Sequence, residues 1–193
     1  MKTFLCIGLG LTLVLITNIT TGIVNGSGEG FVSHELLFIV ITLNAIVYGG
    51  IYLFWLYDVH ISLRERDESY PITPGGSVLR VLIPIYNIYG IWKVYSTMSH
   101  HFKNHLAEKN LGTKLANRIP ILYVLYLVSS TINFYLGTWP AEESVSLGWL
   151  LSYIVDAALI VTYILIVNLV STGLIKLSKE DSSNEEQLKS RLQ

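Results

Sequence analysis

Four long apolar runs constrain this chain more than any other feature. They occupy Thr3 to Val24, the stretch between Glu35 and Asp58, Ile119 to Trp139, and Gly148 to Leu174. A bilayer crossing needs about 20 mostly apolar residues in a helix. Each run meets that length. Each must be helical, because a lone strand leaves backbone N–H and C=O groups unpaired in hydrocarbon. None alternates like a barrel strand. Composition agrees: only 14% of the 193 residues are charged, against about 25% in soluble domains. The net charge of −1 supplies no basic field to hold nucleic acid. The single cysteine, Cys6, excludes an internal disulfide framework or a cysteine-rich zinc module.

A fifth apolar stretch, Val81 to Trp92, lies between Arg80 and Lys93. As a helix it reaches only about 18 Å at 1.5 Å per residue, short of a roughly 30 Å hydrocarbon core. It also contains Pro84, Asn87 and Gly90, which interrupt or weaken helices. Residues 78–92 therefore read as a re-entrant or interfacial element. Its Pro84–Gly90 portion is expected to expose backbone groups, which membrane depth tolerates only against protein or a wet cavity. Such a segment either lines a site or seats the helix that follows.

Charge placement supports four spans. The segment from Asn25 to Glu35 and the loop from Pro140 to Leu147 have no Lys or Arg, and the second carries Glu142 and Glu143. With spans at about 3–24, 36–57, 119–139 and 148–174, all 13 basic residues fall on one side. The positive-inside rule makes that side cytoplasmic, with both termini inside. A five-span chain would split the basic residues between the two faces. Trp55, Tyr57 and Trp92 at the inner boundary, and Phe31, Trp139 and Trp149 at the outer one, suit headgroup-level anchoring. The first run also resembles a secretory signal peptide. No small-x-small cleavage site follows it, so retention as a span is the expectation.

Between spans two and three, Asp58 to Glu68 reads as a charged continuation of span two. Pro71 to Gly76 reads as a loop, and Ser77 as the cap of the next helix. Ile91, Tyr95, Met98, Phe102 and Leu106 recur at four, three, four and four. That is one helical stripe, and it predicts an amphipathic helix over 91–110 lying at the inner membrane surface. Its lysines could meet anionic headgroups. The polar tail at 179–193 ends the chain. Ser183-Asn184-Glu185-Glu186 there fits a capping box, leaving a short helix or disorder open.

Three groups of residues could carry chemistry. Asp156 lies inside span four, about 12 Å from its outer end by helix rise. A carboxylate at that depth should face the bundle and have a partner. Pairing spans three and four as an antiparallel hairpin puts Asp156 level with Thr131. Ser130 and Asn133, which share a face, are the expected partners. Ser152 on the same helix face and Asn44 at similar depth complete the layer. It is either a cation or proton site or a polar knot that sets helix register. His101, His105 and Glu108 form a second group on one flank of the amphipathic helix. Two imidazoles at i, i+4 suit one metal ion. A structural zinc site needs four ligands, so a polar flank without metal is the expectation. Pro84, Asn87 and Gly90 of the short element are the third group. No P-loop, nucleophile elbow, His-Glu-x-x-His or haem-attachment motif is present, and no cofactor is expected.

Gly49-Gly50-Ile51-Tyr52-Leu53-Phe54-Trp55-Leu56-Tyr57, followed by a charged helix, and the later Ile83-Pro84-Ile85-Tyr86-Asn87 element resemble a widespread family of small prokaryotic membrane proteins. That family carries a Gly-Ile-Tyr…Trp-x-Tyr motif at a similar span end. The resemblance covers about residues 35–138. It implies a polytopic helical membrane protein and brings no activity with it.

The expected architecture is an all-α membrane bundle: four transmembrane helices, a re-entrant or interfacial element and a cytoplasmic-face amphipathic helix. The expected role is a non-catalytic accessory or scaffold subunit in the cell membrane. Its partners are then the lipid bilayer and other membrane subunits or copies of itself, with no nucleic acid. A small carrier or channel built on Asp156 is the alternative. A membrane enzyme subunit using the histidines comes third.

Overall fold

The computed structural model describes residues 1–25, 34–106, 109–138 and 145–191. Among them are six α-helices and no strand: α1 (Lys2–Val24), α2 (His34–Arg66), α3 (Pro74–Leu82), α4 (Pro84–His105), α5 (Asn110–Thr138) and α6 (Val145–Arg191). Helices α1, α2, α5 and α6 each hold a stretch long and apolar enough to cross a membrane. The chain is an all-α, multi-pass membrane protein. Phe31, Glu108, Trp139, Glu142 and Glu143 lie outside the described residues.

The chain forms two compact units. The first comprises Met1–Tyr52 and Ile121–Ile164. Its α1 buries Leu5, Gly8, Thr12, Leu15, Asn18 and Gly22, a three-and-four spacing that makes one face. Gly8 leaves room there for Asn44. A Cβ on it would lie 2.9 Å from the Asn44 amide nitrogen of α2. Leu15 packs on Tyr153 of α6, with Ile16, Ile19, Ile41 and Trp149 around them. Tyr52 and Tyr163 meet edge to face at 5.7 Å. The outward sides are apolar. Leu36, Ile39, Leu43 and Ile46 of α2, and Phe134 of α5, are exposed. Lipid satisfies such sides at no hydrophobic cost.

The second unit comprises Leu53–Pro120 and Leu165–Gln193. Here the five residues of the amphipathic stripe face protein. Ile91, Tyr95, Met98, Phe102 and Leu106 are all buried, but within protein and not in the membrane surface. The Phe102 ring sits where Gly173 of α6 leaves room, 2.8 Å from where a Cβ would be. The Ser99 hydroxyl donates to the Gly112 carbonyl of α5 at 2.9 Å. A stripe already covered by the chain cannot also insert among acyl chains.

Residues 84–90 do not form the irregular backbone expected of them. They are the first turns of α4. Pro84 sits where its missing N–H costs nothing, and the Asn87 N–H donates to the Ile83 carbonyl at 2.8 Å. Ile83 is extended (φ −80°, ψ 119°), as the residue before proline prefers, and separates α3 from α4. The helix expected over 91–110 therefore runs over 84–105. Thr73, not Ser77, caps α3: its side chain accepts the Gly76 N–H at 3.1 Å. Ser77 is buried and donates to the Pro74 carbonyl. Gly90 permits the α3–α4 contact, since a Cβ there would lie 2.7 Å from the carbonyl carbon of Arg80 and closer still to its oxygen. At the other end of the chain, α6 continues to Arg191. The polar tail extends this helix and starts no new one at Ser183.

Candidate functional site

Two clusters of polar side chains stand out, one in each unit. In the first, the Ser129 hydroxyl of α5 donates to the Asp156 carboxylate of α6 at 2.5 Å. Asn133 lies beside that carboxylate. Its amide nitrogen lies 3.0 Å from the Ser129 carbonyl and 3.3 Å from the Ser129 hydroxyl. Its carbonyl oxygen accepts from Ser152 at 3.0 Å. Ser152 and Asp156 are one turn apart on α6, as Ser129 and Asn133 are on α5, so two helix faces close on each other.

Asp156, Asn133 and Ser152 thus meet as the spacing suggested, and Ser130 does not join them. Ser130 is exposed, and the exposed Thr131 returns its hydroxyl to the Leu127 carbonyl of its own helix. Ser129 takes the place given to Ser130. Both serines fit an i, i+3 or i, i+4 relation to Asn133, and the helix register of the hairpin decides between them. Asn44 lies against α1 at Gly8.

The second cluster joins the end of α2 to α4. Asp67 follows the last residue of α2 and forms a tight turn. The Ser69 N–H and hydroxyl both donate to Asp67 Oδ1, at 2.9 and 2.5 Å. These bonds, with the Ser69 hydroxyl leading, hold the Asp67 carboxyl below the usual carboxylate range. The other oxygen, Oδ2, faces two histidines. It lies 3.6 Å from His101 Nδ1 and 3.7 Å from His105 Nε2. The two imidazoles stack at 4.1 Å. Burial pushes His101 down to about 4, with His105 adding to the effect and Asp67 opposing it, so the ring is neutral at physiological pH. His105 Nδ1 lies 3.1 Å from the His101 carbonyl. A carbonyl only accepts, so this nitrogen carries the proton.

The cluster is backed by aromatic and basic groups. Tyr70 meets His101 edge-on at 5.2 Å and His60 at 5.7 Å. His60 Nε2, Tyr70 Oη and Arg80 Nη1 are buried with no hydrogen-bond partner. Burial pushes the Tyr70 phenol well up. The spacing of His101 and His105 was legible in sequence. Asp67 was not, because it reaches them only through the packing of α2 on α4. The helix supplies no sign that the third member of the cluster, a carboxylate, comes from elsewhere.

These features define a class, the multi-pass helical membrane protein with a polar clamp between two spanning helices and a histidine–aspartate cluster. No protein-family model, no curated protein and no solved structure matches the chain.

Proposed function

We propose that this chain is a non-catalytic subunit of a membrane assembly. Its partners are the bilayer and other membrane subunits or copies of itself. On this reading it lies in the cell membrane with both termini cytoplasmic, as the one-sided distribution of Lys and Arg favours. Membership of the small prokaryotic family that the Gly49–Tyr57 segment resembles belongs to the same proposal.

The observation that carries it is the closed bonding around Asp156. Ser129 engages the carboxylate, Asn133 engages Ser129, and Ser152 engages Asn133. A carrier's carboxylate must exchange its partners for a proton or cation. This one is occupied in tying α5 to α6, which is what a scaffold needs. The broad apolar sides of α2 and α5 offer area for lipid or partner helices.

The test is purification of the full chain in mild detergent, followed by reconstitution into liposomes. A defined stoichiometric assembly with no proton or monovalent-cation flux is the expected result. Flux that Asp156→Asn abolishes would replace the scaffold reading with a carrier.

A further inference from the structure

We propose that Asp67, His101 and His105 bind one divalent transition-metal ion, with zinc the best fit. The three donor atoms lie within 4.8 Å of one another. A tetrahedral ion with bonds of about 2.0–2.1 Å holds its ligand atoms about 3.4 Å apart. The separations from Asp67 Oδ2, 3.6 Å to His101 and 3.7 Å to His105, are within a few tenths of an ångström of that, and the two imidazoles, stacked at 4.1 Å, turn apart on binding so that both lone pairs meet the ion. Those same separations are too long for direct hydrogen bonds.

Proton placement argues the same way. His105 spends its N–H on the His101 carbonyl. In the neutral ring, the nitrogen turned toward Asp67 therefore presents a lone pair to a carboxylate oxygen. Two lone pairs facing each other gain nothing unless a cation lies between them. A metal ion is a cation that serves His105 and His101 together. A neutral imidazole with its other nitrogen tied to a carbonyl is the usual form of a metal-bound histidine. Asp67 is oriented from behind in the same manner. Ser69 holds Oδ1 twice and leaves Oδ2 for the ion.

The charge balance is favourable. Arg66 lies within electrostatic reach of His101 and opposes a second cation there. The Asp67 carboxylate, at under 4 Å, outweighs it. Imidazole and carboxylate donors select zinc-class ions over calcium or magnesium. Three protein ligands leave a fourth position for water or an exchangeable ligand. The His105 side chain, 47% exposed, puts that position at the solvent edge. Such a site exchanges its metal, in contrast to a closed four-ligand structural site. It is independent of Asp156, which lies in the other unit.

The experiment uses the full chain in mild detergent, stripped with chelator and titrated with Co²⁺ and then Zn²⁺. Calorimetry reads stoichiometry, and the visible cobalt bands read tetrahedral geometry. The expected result is one ion per chain, tetrahedral cobalt bands, and displacement of cobalt by zinc. Ser69→Ala should weaken binding about 10-fold, as loss of an outer-shell partner does. His105→Gln, at a half-exposed position, should abolish stoichiometric binding while leaving the melting transition in place. Absence of saturable binding, several weak ions per chain, or wild-type affinity in His105→Gln would each overturn the proposal.

Discussion

Replacing Gly90 with alanine isolates the contact that fixes α3 against α4. The new methyl would lie 2.7 Å from the Arg80 carbonyl carbon and 2.9 Å from its Cβ. Carbon atoms in contact sit about 3.5–4.0 Å apart, so the helices must separate by roughly 0.8 Å or more. The carbonyl carbon and the still closer carbonyl oxygen are backbone, so no rotamer change relieves them. Overpacking of this kind costs about 1–3 kcal/mol, and a backbone clash belongs at the upper end. Alanine recovers about 1 kcal/mol of helix propensity. The net loss is about 2 kcal/mol, or a fall of roughly 4–8 °C in Tm for a chain of this size. Gly75→Ala is the control. It lies in the first turn of α3 with no atom within 4 Å of the added carbon. It should be neutral or stabilising by up to about 1 kcal/mol. The four tryptophans allow both variants to be followed by intrinsic fluorescence in mild detergent. A Gly90→Ala protein that melts with the wild type would refute the close-approach argument.

Other changes probe the remaining contacts. Ser129→Ala should lower stability by about 1 kcal/mol, a typical interhelical hydrogen bond in a membrane, while Ser130→Ala leaves the melt unchanged. The reverse order would return the hairpin register to the one expected from sequence. Thr73→Ala should cost about 1 kcal/mol through loss of the α3 cap, read as earlier protease cleavage within residues 70–83. Phe102→Ala empties a fully buried site against Gly173 and should cost about 3–5 kcal/mol, seen as a large drop in Tm. For topology, single cysteines at Asn104 and Ser144 in a Cys6-less chain should react with impermeant reagents from opposite sides of the membrane. Labelling of both from one side would overturn the four-span orientation. Asn104 is exposed, so a cysteine there is open to the reagent.

Legibility followed the range of the signal. The Ile91–Leu106 stripe was readable because a helix face repeats every three or four residues. What covers that stripe was not, because Gly173 lies far along the chain and a glycine carries no periodic mark. Pro84 shows a local signal with two meanings. Proline breaks a helix from within and starts one at its first turn. Only the chain around it, with Ile83 extended, selects the second. Ser129 and Ser130 differ by about 100° of helix rotation, too fine a distinction for loop-length counting. Asp67 was the clearest omission, sitting in a charged segment whose carboxylates look alike until one is held by Ser69 beside two histidines.

Taken alone, the sequence determined that the chain is helical and crosses a membrane several times. Hydrocarbon obliges each segment to satisfy its own backbone hydrogen bonds, so span length and apolar content suffice. Tertiary structure decided which polar groups meet: Ser129 and Asn133 with Asp156, and Asp67 with His101 and His105. Those meetings depend on the rotation and register of whole helices against one another, which the packing of side chains sets and no local spacing encodes.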